Sequence, residues 1–143
     1  LEVGNGRLDV RFDDFPAQLN GITSNQQNIV ATLQGRSEYK GVIIVSAHYD
    51  TRGHNINDGI VNAPGANDNA SGVANLLELA RVMSSRDWEQ TIIFVAFAAE
   101  EQNTQGSRHF VQNVMIRNNV QIDGVINNDS IGGQVGIPRT VRL

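Results

Sequence analysis

Two stretches of this chain are apolar on both faces of a strand, and that constrains the fold more than any other feature. Residues 41–47 (GVIIVSA) and 91–98 (TIIFVAFA) place Val, Ile, Phe and Ala at successive positions with no polar alternation. Side chains of a strand point alternately to opposite sides, so such a run must be covered on both sides. Between the two lies a helical stripe, Val73, Leu76, Leu77, Ala80 and Met83, at spacings of three and four residues. Asp68, Asn69 and Ser71 are suited to capping its start. A second helix is expected over residues 107–118, with Phe110, Val111, Val114 and Met115 on one face, and a further strand over 120–127 (VQIDGVIN). Buried strands alternating with helices predict an α/β domain: a mostly parallel central sheet with helices on both faces. Leu8, Val10 and Phe12, alternating with acidic and basic residues, and 27–33 (QNIVATL) add two strands that would form an antiparallel edge hairpin. Residues 48–67 and 132–138 read as loops, and 141–143 as the start of another strand.

The carboxylates are not scattered over this pattern. The run 41–47 ends in His48-Tyr49-Asp50, the run 91–99 in Glu100-Glu101, and Val125-Ile126 in Asn127-Asn128-Asp129. In a parallel sheet these ends share one edge, where ligand crevices form, and the loop bearing Asp68 leaves from the same edge. Two unit charges about 4 Å apart repel by roughly 4 kcal/mol at an effective dielectric of about 20. Several such pairs rival a domain's whole stability of about 5–15 kcal/mol. The acids must therefore hold protons at raised pKa values or be neutralised by cations, and the metal reading accounts better for one imidazole among several acids. The chain has no cysteine, so thiolate ligands, disulfides and a thiol nucleophile are excluded. Imidazole and carboxylate donors suit Zn²⁺, with Co²⁺ or Mn²⁺ as alternatives. Taken singly, H-x-D, Glu-Glu and Asn-Asn-Asp are ordinary loop sequences; their recurrence at matching strand ends carries the argument.

The strings SAHYDT (46–51), PGANDNASGVANLLELAR (64–81), FAAEEQNTQGSRHF (97–110) and GVINNDSIG (124–132) resemble, in order, the motifs of the co-catalytic two-zinc aminopeptidase family. That family also includes glutamate carboxypeptidase-like and glutaminyl cyclase-like members. The resemblance implies a zinc exopeptidase-like fold of which residues 1–143 are the N-terminal part of one catalytic domain. It implies that His48, bridging Asp68 and Asp129 hold one zinc, that Asp68 and Glu101 hold the other, and that Glu100 is the general base. Asp50 matches the acid that orients the imidazole of His48. The expected activity is removal of N-terminal residues from peptides through a metal-activated water. Carboxypeptidase, glutaminyl cyclase and a non-catalytic partner-binding domain are the alternatives.

In the family a distal His completes the second metal, and none follows within these 143 residues. His54 and His109 occupy positions that are not ligands there. The expectation is two zinc ions in a complete domain, but one tighter site and little activity for this chain alone. Residues flanking the acids, Asn103-Thr104-Gln105, Asn128 and Ser130, depart from the usual pattern and bear on specificity. The N-x-S matches at Asn69 and Asn128 sit beside expected ligands and are read as chance, with Asn69 shaping its loop and capping the helix. Gly65 and Gly72 are expected to permit tight turns around Asp68.

A formal charge of −4 without a basic block argues against a nucleic-acid partner. No apolar run reaches the length of a membrane span. A peptide is the expected partner, the resemblance favours a secreted or periplasmic setting, and oligomeric state is left open.

Overall fold

The computed structural model describes residues 6–19, 21–38, 41–53 and 62–133. The strand expected over 141–143 and His54 lie outside the described residues. The elements run β1 (Leu8–Leu19), β2 (Ile22–Leu33), β3 (Gly41–His48), α1 (Ala70–Met83), β4 (Thr91–Phe97), α2 (Gln105–His109) continuing directly into a wider π-type segment (Phe110–Ile116), and β5 (Gln121–Asn127).

The five strands form one sheet in the order β1-β2-β4-β3-β5. β3 pairs in parallel with both β4 and β5, whereas β1–β2 and β2–β4 are antiparallel. The α/β class holds, but the sheet is mixed rather than mostly parallel. The N-terminal hairpin is longer than the sequence suggests, with strands of 12 residues, and β2 joins the sheet directly against β4.

Helices cover both faces, as the two doubly apolar runs require. On one face Leu76 and Ala80 of α1 pack on Val45, Ala47, Ile92, Phe94 and Leu33. On the other, Phe110 and Met115 pack on Val30, Val42, Ile44, Ile93 and Val95. Phe110 and Met115 are five residues apart, a spacing that an α-helix would rotate apart and a π-type turn aligns. The Val120 N–H donates to the Met115 carbonyl at 3.0 Å, five residues back, consistent with that widened geometry.

Three side-chain placements differ from the sequence reading. Val10 and Phe12 are exposed, at 58 and 62 %, because the face of β1 that packs inward is Phe15 and Ala17, which meet Ala98 and Ala99. Leu77 is 61 % exposed, since α1 turns Val73, Leu76, Ala80 and Met83 to the sheet, and Leu79 rather than Leu77 flanks that stripe. Val111 lies at the surface because the π-type segment carries Met115 inward in its place.

This architecture brings the C-terminal ends of β3, β4 and β5 to one edge, with His48 ending the strand between the other two. Phe110 makes an edge-on contact with Phe97, ring centroids 5.8 Å apart, directly below that edge. Phe110→Ala is expected to lower the unfolding free energy by about 3–5 kcal/mol, measured by equilibrium denaturation.

Candidate metal centre

His48 closes β3 and is 3 % exposed. Its Nδ1 lies 3.0 Å from the Asp50 carbonyl oxygen. A carbonyl can only accept, so Nδ1 carries the hydrogen and the neutral ring presents the Nε2 lone pair outward. That nitrogen is 3.0 Å from Asp68 Oδ1 and 3.6 Å from Asp129 Oδ1. The three side chains offer donor atoms that all lie within 4.8 Å of one another. A lone pair facing two carboxylates is repulsive unless a proton or cation lies between them, so the donor set fits a divalent ion such as zinc.

The ligand-bearing loops are stapled by two asparagines. Asn69 Oδ1 accepts from the Gly72 N–H at 3.1 Å, capping α1, and its Nδ2 donates to the Asn128 carbonyl at 2.9 Å. Asn128 donates to the Ser46 carbonyl at 3.0 Å and accepts from Asn75 of α1 at 2.8 Å. Asp68 and Asp129 each adjoin one of these residues, so the staple sets their separation. Both asparagines are buried with Nδ2 already engaged, which agrees with reading the N-x-S matches as chance. A Cβ at position 72 would stand 2.3 Å from Asn69 Oδ1 and 2.4 Å from the Asn128 carbonyl, so only glycine fits there. Gly65 takes a positive φ of 56° in the turn before Asp68, and the Thr51 hydroxyl donates to the Asp68 carbonyl at 3.1 Å.

Glu100 and Glu101 lie beyond the end of β4, after Ala99 has taken a left-handed φ of 53°. They serve different crevices. Glu100 lines one of about 270 Å³ together with His48, Asp129, Ser46, Phe97 and Phe110. Glu101 lines another, of about 530 Å³, with Asp68 and Arg52, and accepts from Arg52 Nε at 2.6 Å. Three of the four expected ligands are therefore gathered, and the fourth is engaged by a guanidinium that the sequence reading did not single out. A charge paired with a buried acid leaves no periodic or motif signal, although Arg52 stands next to the first motif.

Asp50 also sits differently from expectation. Its carbonyl, not its carboxylate, is the nearer partner of the His48 ring; the carboxylate is 3.7 Å from Nδ1. The two carboxylate oxygens instead accept the Glu100 N–H at 3.0 Å and the Glu101 N–H at 3.1 Å. One residue thus fixes both the imidazole and the Glu-Glu backbone. His109 lies away from the centre and bonds to Asp13 through Nε2 at 3.2 Å.

Burial tends to lower the His48 pKa, but the charges of Glu100, Asp129 and Asp50 and the Asp50 carbonyl outweigh it and leave His48 above its ordinary 6.5. Burial raises the Glu100 carboxyl, the His48 charge opposes this, and Glu101, Asp50 and Asp129 add to the rise.

Residues 28–140 match peptidase family M28. A probable zinc metalloprotease of Pyricularia oryzae is 41 % identical over 153 aligned residues, covering 99 % of this chain and 30 % of that protein. The zinc aminopeptidase BSAP of Bacillus subtilis is 33 % identical with a TM-score of 0.65, covering 76 % of this chain and 25 % of that one. The glutaminyl cyclase of Porphyromonas gingivalis is 25 % identical with a TM-score of 0.73, covering 89 and 48 % respectively. The chain spans less than a third of the length of the curated relatives it matches. Among the described residues no helix is long and apolar enough to cross a membrane.

The raised His48 pKa fixes the sign of a pH effect. Without metal, the stabilisation from protonated His48 is complete below the unfolded value near 6.5 and is lost as pH rises through the folded value. A divalent ion needs the neutral ring, so it competes with that proton. The thermal stabilisation conferred by Zn²⁺ should therefore grow from about pH 5.5 to about pH 8, and His48→Ala should abolish it, as read by melting curves with and without the ion.

Proposed function

The chain belongs to peptidase family M28, and on that footing we propose that it carries the zinc centre of a metallo-exopeptidase, an aminopeptidase cleaving N-terminal residues from peptides. The observation that carries this reading is the convergence of His48 Nε2, Asp68 and Asp129 within 4.8 Å beside a carboxyl, Glu100, whose pKa is raised. His48, Asp68 and Asp129 would hold one zinc; Asp68 and Glu101 would contribute to a second.

When bound, a zinc pair supplies Lewis acidity that acidifies a water and polarises the scissile carbonyl. The chain's own residues supply the rest. Glu100 takes a proton from the attacking water at its carboxylate and returns it to the departing amine. A raised pKa suits the acceptance half of that transfer, because it makes the carboxylate a better proton acceptor. Asp50 keeps Glu100 and Glu101 at fixed positions by holding their amides, and keeps the His48 ring in the tautomer that presents Nε2.

A second reading, glutaminyl cyclisation, is favoured by one observation: glutaminyl cyclases from two bacteria resemble this chain at TM-scores of 0.73 and 0.70. There Glu100 would carry a proton from the substrate's α-amine to its departing ammonia. The two activities separate on one pair of substrates, an aminoacyl p-nitroanilide and an N-terminal glutaminyl peptide.

Glu100→Gln should abolish hydrolysis of aminoacyl p-nitroanilides by the zinc-loaded protein while leaving bound zinc, measured by elemental analysis, unchanged; retained turnover would remove Glu100 as the base. In the 143-residue chain, calorimetry should find one tight Zn²⁺ site and one weak one, and two equal tight sites would contradict this. Arg52→Ala frees the Glu101 carboxylate from its ion pair, so it should tighten the weak site severalfold; an unchanged affinity would show that Arg52 does not compete with the ion.

A further inference from the structure

Asn28 of β2 is the polar side chain whose presence the proposed chemistry leaves unexplained. It stands on the inward face of its strand, opposite Asp13 of β1, two residues from the core residue Val30, and is fully buried. An apolar residue in that place would be ordinary; a buried carboxamide is costly unless every donor and acceptor is used. Here all are used. Oδ1 accepts the Ala98 N–H at 3.1 Å, and Nδ2 donates to the Gly106 carbonyl at 3.0 Å and to Asp13 Oδ2 at 2.9 Å.

Ala98 and Gly106 are the two ends of the loop that bears Glu100 and Glu101. The Gly106 N–H also donates to the Ala98 carbonyl at 3.2 Å, so the ends are drawn together. A Cβ at 106 would stand 2.2 Å from that carbonyl and 2.5 Å from Asn28 Oδ1, so glycine is required for the closure. Inside the neck the backbone leaves ordinary geometry, with positive φ at Ala99, Asn103 and Thr104. Such conformations are sparsely populated by residues with a Cβ and persist only where their surroundings enforce them. The Asn28 side chain is a principal enforcing contact from the sheet side. Beyond it Asp13 continues the chain of bonds to His109 Nε2 at 3.2 Å, and His109 Nδ1 lies 3.2 Å from Asn113 Nδ2. The network therefore ties β1, β2, the loop neck and α2 into one unit.

We propose that Asn28 is a positioning residue for Glu100 and Glu101: its carboxamide clamps the neck of their loop, acting on the sheet side as the Asp50 carboxylate acts on the crevice side. The proposal rests on the metallopeptidase reading for its catalytic consequence, but not for its structural one. Asn28→Asp is the sharpest variant, because it keeps shape while turning an oxygen towards the Gly106 carbonyl and the Asp13 carboxylate.

The test is hydrogen exchange and steady-state kinetics on the zinc-loaded protein for Asn28→Asp and Asn28→Ala, with Ile92→Val, buried at the start of β4 on the α1 face, as a core variant remote from the loop. Exchange within residues 99–106 should quicken at least tenfold while β3 and α1 keep wild-type protection. kcat should fall at least 30-fold with KM within about twofold and the His48-site zinc retained, whereas Ile92→Val should keep kcat. If the Asn28 variants do not fold, Asp13→Asn, which weakens the same network from its rim, should show the same local pattern to a smaller degree. Exchange that quickens evenly across the sheet, or an unchanged kcat in a folded Asn28 variant of an active protein, would overturn the proposal. A wild-type protein that neither binds zinc through His48 nor shows zinc-dependent hydrolysis would refute the functional reading instead, and the exchange pattern would still decide the role of Asn28.

Discussion

Like-charge crowding at the C-terminal edge of β3, β4 and β5 is the condition that the rest of this structure answers. Asp50, Asp68, Glu100, Glu101 and Asp129 meet there around one imidazole, and at about 4 Å each unscreened pair would cost several kcal/mol. The folded chain disposes of each charge separately. Asp50 accepts from two backbone amides and Glu101 pairs with Arg52, while burial raises the Glu100 pKa and the His48 charge opposes that rise. What is left uncompensated is the pair Asp68 and Asp129 facing His48 Nε2, and that remaining demand defines the place for a cation.

The scaffolding around those acids is built almost entirely from neutral amides. Asn28, Asn69, Asn75, Asn127 and Asn128 make the bonds that join strand ends, helix cap and loop neck, with the Ser46 hydroxyl donating to Asn127 at 2.8 Å. Asparagine offers two donors and an acceptor on a short stem without adding charge. An aspartate in any of these places would deepen the crowding, and a lysine or arginine would compete with the metal for the ligands. Five of the chain's 16 asparagines therefore have an electrostatic reason for their places.

The site was legible in the sequence because its signal is one of position. A residue at or just beyond the C-terminal end of a parallel strand can face only the sheet edge. The gathering of His48, Glu100 and Asp129 there is therefore legible from order alone, and α1 from its stripe and cap. The separate roles of those three residues are implied only by the family resemblance. The errors arose where a choice between two faces depends on distant packing. Alternation in β1 was correct, but which phase packs inward is decided by Ala98 and Ala99, some eighty residues on. Likewise Leu77 and Val111 lie at the borders of apolar stripes, where a modest rotation or a π-type turn decides exposure. The joining of β2 to β4 was invisible because long-range pairing leaves no local trace. Arg52 and Asn28 were missed for a related reason: a residue whose role is to hold another looks like any polar residue in a loop or strand.

Adjacent glutamates in different surroundings expose the limit of reading residues without backbone. On a continued β4, Glu100 and Glu101 would point to opposite faces, one of them towards the core near Phe110. The left-handed turn at Ala99 lifts both out of the strand, and the Asp50 carboxylate then holds two successive amides on the same side. The side chains diverge from that anchored peptide into separate crevices, one beside His48 and Asp129 and the other beside Asp68 and Arg52. The identity of the residues supplies two carboxylates; the conformation of the loop decides that they open into different surroundings. A loop with that conformation has to be held from outside itself, and that is why the buried bonds at its neck matter as much as the acids it carries.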